Sequence, residues 1–142
     1  MRVAVTGGTG FLGSALVARL RGDGHTVTVL TRSPGRPGDV RWDSERPSPQ
    51  STTALDDVDA VIHLAGASIA GGRWTSRRKA LILDSRVQST RAVVSAIAAA
   101  RRPPSVLISG SAIGYYGAHG DEPLTEASPP GSDFLARVCV EW

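Results

Sequence analysis

Thr6-Gly7-Gly8-Thr9-Gly10-Phe11-Leu12-Gly13 separates two segments of different periodicity. Before it, Val3, Ala4 and Val5 make a short apolar run of strand type. After it, Phe11 to Arg21 repeats at helical spacing, with Leu12, Ala15, Leu16 and Leu20 on one side and Gly22 and Gly24 as the stop. Val27 to Leu30 then reads as a second, β-branched strand. Gly8, Gly10 and Gly13 have the G-x-G-x-x-G spacing. Glycine there permits a tight turn, lets a pyrophosphate approach bare backbone, and allows the helix to pack close to the strand. The free N–H groups and positive end of the helix hold the anion. Gly7, Thr9, Gly10, Phe11 and Leu12 are therefore expected to receive a dinucleotide. A plain glycine turn uses the same residues; the strand before it and the helix and strand after it favour the dinucleotide.

The end of the second strand selects between dinucleotides. An NAD site needs a carboxylate about 20 residues past the glycines, to bind the ribose 2′-hydroxyl. Here the chain runs Leu30-Thr31-Arg32-Ser33, with Arg36 beyond and no carboxylate until Asp39. A guanidinium at that place pairs with a 2′-phosphate through two charge-assisted bonds. Thr31 and Arg32 thus point to NADP(H) over NAD(H), the alternative being an arginine solvated on a loop.

Strand and helix patterns continue to alternate. Ser33 to Pro49 is rich in Pro, Gly and Arg and is expected to be mostly loop, with Val40 to Trp42 as a short edge strand. Val58 to Ala65 is a further buried strand, and a glycine loop follows at Gly66 to Gly72. A long helix is predicted from an N-cap at Thr75 or Ser76 to about Ala100, with Ala80, Leu83, Val87, Val94 and Ile97 facing the core. Ser105 to Ser109 is the next strand, and Gly131 or Ser132 opens a last helical pattern containing Phe134, Leu135, Val138 and Trp142. The expected fold is α/β, a Rossmann-type doubly wound parallel sheet flanked by helices. Residues 1–142 read as one dinucleotide-binding domain that ends before the last strands and the substrate domain. The chain is then either a fragment of a longer protein or an abbreviated one that covers its exposed edge as a homodimer.

Composition narrows the function classes. Of 142 residues, 41% are hydrophobic and 20% charged, as in a globular protein with a buried core. No apolar run reaches the ~18 residues of a membrane span. Met1 leads directly into the first strand, so no cleavable leader is expected. The one cysteine, Cys139, suits a reducing cytoplasm. The net charge of +3 comes almost wholly from arginines scattered along the chain. Aromatic residues do not interleave with them, which argues against nucleic acid as a partner. His25, His63 and His119 show no metal-ligand spacing, and His63, in a strand, is expected to be a hydrogen-bonded structural residue.

The chain resembles the extended short-chain dehydrogenase/reductases, and among them the atypical "epimerase family" oxidoreductases. The matching stretches are Met1 to Gly13, Leu30 to Pro34, Asp59 to Ala67, Arg73-Trp74, Asp84 to Val87, Ser109 to Gly117 and Asp133 to Ala136. The resemblance implies that Leu64, Ala65 and Gly66 pass under the adenosine and its ribose. It implies that Arg86 is a second contact to the dinucleotide, against the plainer reading of a helix-surface arginine paired with an acid. It puts Ser109 and Ser111 at the strand end facing the nicotinamide, with Ser111 as the active-site serine. Tyr116-Gly117 matches the Tyr-Gly that follows that serine, so Tyr116 is either a catalytic hydroxyl or a wall of the pocket.

Hydride-transferring relatives carry Tyr-x-x-x-Lys on the following helix, the ammonium lowering the phenol pKa so that it can exchange a proton. The corresponding segment here is Phe134-Leu135-Ala136-Arg137-Val138, so both groups are missing. Lys79, the only lysine, is expected to be solvated. Two functions follow: an NADP(H)-dependent oxidoreductase or epimerase-like enzyme acting on a small carbonyl or nucleotide-sugar-like molecule, or a non-catalytic dinucleotide-binding module or redox sensor.

Overall fold

The computed structural model describes residues 1–44, 48 and 53–142 and divides into two compact units. The first contains Met1–Gly66 and Gln88–Gly110, the second Ala67–Val87 and Ser111–Trp142. Part of the loop expected between Ser33 and Pro49, residues 45–47 and 49, lies outside the described residues.

The first unit is built on strands β1 (Arg2–Thr6), β2 (Thr26–Thr31), β3 (Asp39–Arg41), β4 (Ala60–His63) and β5 (Val106–Ser109). They form one sheet in the order β3-β2-β1-β4-β5, every pair parallel. Val3 lies beside Val27 on one side and Ala60 on the other, which sets the register. Strands of this kind are apolar on both faces because both faces are covered. Val3, Val5, Val27 and Val29 pack with Val17 of helix α1 (Phe11–Gly22). Ala4, Leu30 and Val61, on the alternate positions, pack with Val93 and Ala96 from the second half of helix α2 (Ser76–Ala99), and with Trp42, Leu55 and Val58. Strand order reverses beside β1, so the carboxyl ends of β1 and β4 flank the crevice where open α/β sheets take their ligands. At the far edge, β5 leaves Val106, Leu107 and Ile108 exposed.

Both helices turn inward a face that only partly matches the expected one: Leu20 and Ile97 pack on the core as expected. In α1 the buried positions are Gly13 and Val17, with Leu20 partly buried, whereas Leu12 is exposed. In α2 the buried positions are Ile82, Ser89, Val93 and Ala96, whereas Val94 is exposed. Of the expected stripe, Ile97 packs on the core and Leu83 and Val87 are half-buried, whereas Ala80 and Val94 are exposed, so the inward face is offset by about one residue, or about 100°. The expected stripe avoided Ser89, which is buried because its hydroxyl has a buried partner.

In the second unit, Thr75 caps the start of α2, its Oγ1 accepting from the Arg78 N–H at 3.2 Å. A 3-10 turn spans Ile113–Tyr115, and helix α3 spans Phe134–Glu141. The cap of α3 is Asp133, whose carboxylate accepts from the Ala136 N–H at 2.8 Å. The helix thus begins later than Gly131 or Ser132. Gly131 is instead spent on a chain crossing: a Cβ there would lie 2.6 Å from the Tyr116 carbonyl oxygen and 2.7 Å from Gly117 Cα.

Candidate functional site

The glycine turn is shaped by contacts that no side chain could enter. Gly7 has φ +70°, and a Cβ on it would fall 2.7 Å from the carbonyl carbon and oxygen of Leu64 and 2.8 Å from the nitrogen of Ala65. Backbone thus meets backbone between the ends of β1 and β4, and the structure brings together Gly7, Leu64 and Ala65. A Cβ on Gly13 would meet the Gly7 oxygen at 2.1 Å, so the first turn of α1 sits directly on the loop. The Gly10 N–H donates to the Gly7 carbonyl at 3.0 Å and closes the turn. Helix α1 has Gly10 as N-cap, no side-chain cap and no acidic residue in its first turn. Its leading N–H groups and positive end are therefore open to an anion. Thr9, Gly10, Phe11 and Leu12 are exposed around them, Phe11 almost completely. Together these features fit the pyrophosphate of a dinucleotide.

The end of β2 carries half-buried Thr31 and exposed Arg32. Neither Arg32 nor Arg36 has an ion pair among the described residues. Asp39, the first carboxylate after the strand, is turned to backbone: one oxygen accepts from the N–H of Gly35 at 3.1 Å and of Arg36 at 3.0 Å.

Beneath the crevice lies His63, 1% exposed. Its Nδ1 is hydrogen-bonded to Thr6 Oγ1 at 2.6 Å, and its Nε2 lies 3.1 Å from Thr90 Oγ1 and 3.3 Å from Ser89 Oγ. The imidazole so ties the residue before Gly7 and the residue before Leu64 to helix α2. Burial pushes its pKa down to about 4, which keeps the ring neutral. The expected structural role holds. Ser109 ends β5, and the neighbouring Gly110 N–H donates to the His63 carbonyl at 2.9 Å. Gly66 is the last residue of this segment and is exposed.

Arg86, Ser111 and Tyr116 belong to the second unit. Arg86 Nη1 donates to the carbonyls of Ala67 at 3.0 Å and Ile82 at 3.1 Å, and the guanidinium lies 5.1 Å from the Trp142 ring centroid. Ser85 completes a clamp on Ala67, its Oγ accepting from the Ala67 N–H at 2.9 Å. Burial lowers the Arg86 pKa. Ser111 is exposed, and the rings of Tyr115 and Tyr116 meet edge to face with centroids 5.1 Å apart.

Phe134 packs edge to face on Trp74 at 5.7 Å, with Lys79 Nζ 5.2 Å and Arg137 Cζ 6.0 Å from its ring centroid. Lys79 is half-buried against this ring rather than solvated. Local sequence held no signal for that approach, because the two lie 55 positions apart. Val138 is 3% exposed and serves the packing of its unit. Cys139 is a free thiol whose pKa burial raises. Among the described residues no group of His, Cys, Asp and Glu gathers as metal ligands, and no helix is long and apolar enough to cross a membrane.

A parallel sheet of this order with a glycine turn at its reversal point defines a Rossmann-type α/β protein. The NAD dependent epimerase/dehydratase family matches residues 3–138, and the chain belongs to that family. It is 40% identical to an epimerase family protein of Mycobacterium bovis over 99% of this chain and 46% of that protein. Among solved structures, human epimerase family protein SDR39U1 (isoform 2) with NADPH superposes with a TM-score of 0.88 at 34% identity, over 100% of this chain and 47% of the human one. The nucleoside-diphosphate sugar epimerase of Corynebacterium glutamicum gives 0.83 at 38% identity, over 100% and 29% of the two chains. The chain spans about half the length of the curated relatives it matches.

Proposed function

We propose that residues 1–142 are the dinucleotide-binding part of an NADP(H)-dependent oxidoreductase or epimerase-like protein of the cytoplasm, acting on a small carbonyl or nucleotide-sugar-like molecule. The observation that carries the cofactor choice is exposed Arg32 one residue beyond β2, with no ion pair among the described residues. The family description names NAD, but the human relative was solved with NADPH. When bound, NADP(H) supplies or accepts a hydride. The N–H groups leading α1 hold the pyrophosphate, and Gly7, Leu64, Ala65 and Gly66 let the adenosine half lie against backbone. Arg32 pairs with the 2′-phosphate, with Thr31 beside it in sequence. In this reading Arg86 keeps Ala67 in place, Ser109 closes the strand facing the nicotinamide, and Ser111 with Tyr116 supplies the hydroxyls that polarise the substrate oxygen.

Titrating NADPH and NADH against the protein by fluorescence tests the cofactor choice. Tighter NADPH binding is expected, with the preference lost in Arg32→Ala; equal affinities in the unmodified protein sink it. A second reading, a non-catalytic binding module or redox sensor, draws on Phe134 and buried Val138 at the places of the tyrosine and lysine. It predicts tight NADPH binding and no oxidation of NADPH across a broad panel of carbonyl compounds.

A further inference from the structure

Asp39 is the carboxylate that could have opposed a 2′-phosphate, and the structure gives it another task. Its backbone belongs to β3, paired in register with Val29 of β2, so its position is set by the sheet. From there its Oδ2 accepts from the N–H groups of Gly35 and Arg36 at 3.1 and 3.0 Å, while its own N–H donates to the Arg36 carbonyl at 3.0 Å. Arg36 is therefore held on both sides of its peptide unit by one residue. Gly38, at φ +87°, makes the return that allows this. Pro34 and Pro37 fix two further φ angles of the loop. At its other end, the Ser33 N–H donates to Thr31 Oγ1 at 3.3 Å, fastening the residue after Arg32 to β2.

We propose that Asp39 is a positioning residue for NADP(H) selection: it curls the 32–38 loop so that Arg36 joins Arg32 as a second cation for the 2′-phosphate. This rests on the NADP(H) reading above. With Oδ2 accepting two backbone N–H groups, the carboxylate is tied to its own loop, so a ribose hydroxyl would have to compete with those contacts for it, which weakens the claim of NAD. Without them the loop samples conformations in which Arg36 is misplaced, and apparent affinity falls in proportion to the competent fraction.

The test measures NADPH and NADH dissociation constants for the unmodified protein, Asp39→Ala, Asp39→Asn and Arg36→Ala. Asparagine keeps one acceptor oxygen for both N–H groups and removes the charge; alanine removes both. With a competent fraction of about one tenth, Asp39→Ala weakens NADPH about tenfold and leaves NADH within about twofold. Asp39→Asn retains the NADPH affinity, and Arg36→Ala reproduces the alanine effect. Equal weakening of both dinucleotides in Asp39→Ala overturns the proposal by reducing Asp39 to a structural residue. Tighter NADPH binding in both Asp39 variants overturns it too, showing only a repelling charge. Lack of NADPH preference in the unmodified protein defeats the underlying cofactor reading, whatever the Asp39 variants do.

Discussion

The glycine turn and the Phe134–Glu141 helix make opposite use of their residues. At the turn, the working groups of the proposed function are backbone amides, and Gly7 and Gly13 are reduced to hydrogen because Leu64, Ala65 and the Gly7 backbone leave no room for a Cβ. On the helix, the working groups in the wider superfamily are the tips of two side chains; the resemblance sets against them Phe134, a ring packed on Trp74, and Val138, which is buried. Binding that rests on backbone shape cannot be lost without disturbing the fold. A phenol and an ammonium can be lost while packing is kept, since Phe fills the place of Tyr and Val is a better core residue than Lys. On the proposed reading, the contrast separates a binding turn that depends on backbone shape from a helix whose side chains can change while packing is kept.

The contrast is broken most severely at Gly13. In Gly13→Ala the new methyl meets the Gly7 oxygen at 2.1 Å, so α1 must move off the turn. Loss of NADPH binding is expected together with about 3 kcal/mol of stability, from urea denaturation. Unchanged binding would show that the turn is not the cradle.

Acid provides the next largest effect, through His63. Its pKa in the folded chain is about 4, below the 6.5 of an unperturbed imidazole, so between these values the unfolded state takes up a proton that the folded state refuses. Stability is therefore full above pH 6.5 and declines as pH falls toward 4, by on the order of 3 kcal/mol at the end. Urea midpoints at pH 7 and pH 4.5 measure this. The gap between them should narrow in His63→Asn, which cannot titrate, and an equal gap in both proteins would acquit the histidine.

The smallest effect sharpens the other half of the comparison. Phe134→Tyr adds a hydroxyl to a half-buried ring and is expected to change stability by less than about 0.5 kcal/mol, with NADPH affinity unaltered. A large change in affinity would mean that Phe134 takes part in holding the dinucleotide, and the division between backbone binding and side-chain chemistry would fail.

How far the sequence reached depended on the range of the interaction involved. Strand identities, the turn and the Thr75 cap follow from local rules, and all are present. The inward face of α2 departs from the periodicity at Ser89, which looks like a surface residue until His63 is placed against it. For Arg86 the resemblance implies a second contact to the dinucleotide; that its guanidinium also donates to the Ala67 and Ile82 carbonyls and lies over Trp142 depends on folding. Lys79 over Phe134 and Asp39 under Arg36 likewise depend on where the chain returns.

By itself the sequence determined the layered α/β fold and the position of the glycine turn. Each of these is a matter of residue type at short spacing, which sterics and periodicity translate directly into structure. Only the tertiary structure decided which polar side chains are buried and what they hold. Hydrogen bonds and ring contacts join residues far apart in the chain, and whether a polar group is spent inside or left for a ligand depends on the partners that folding brings to it.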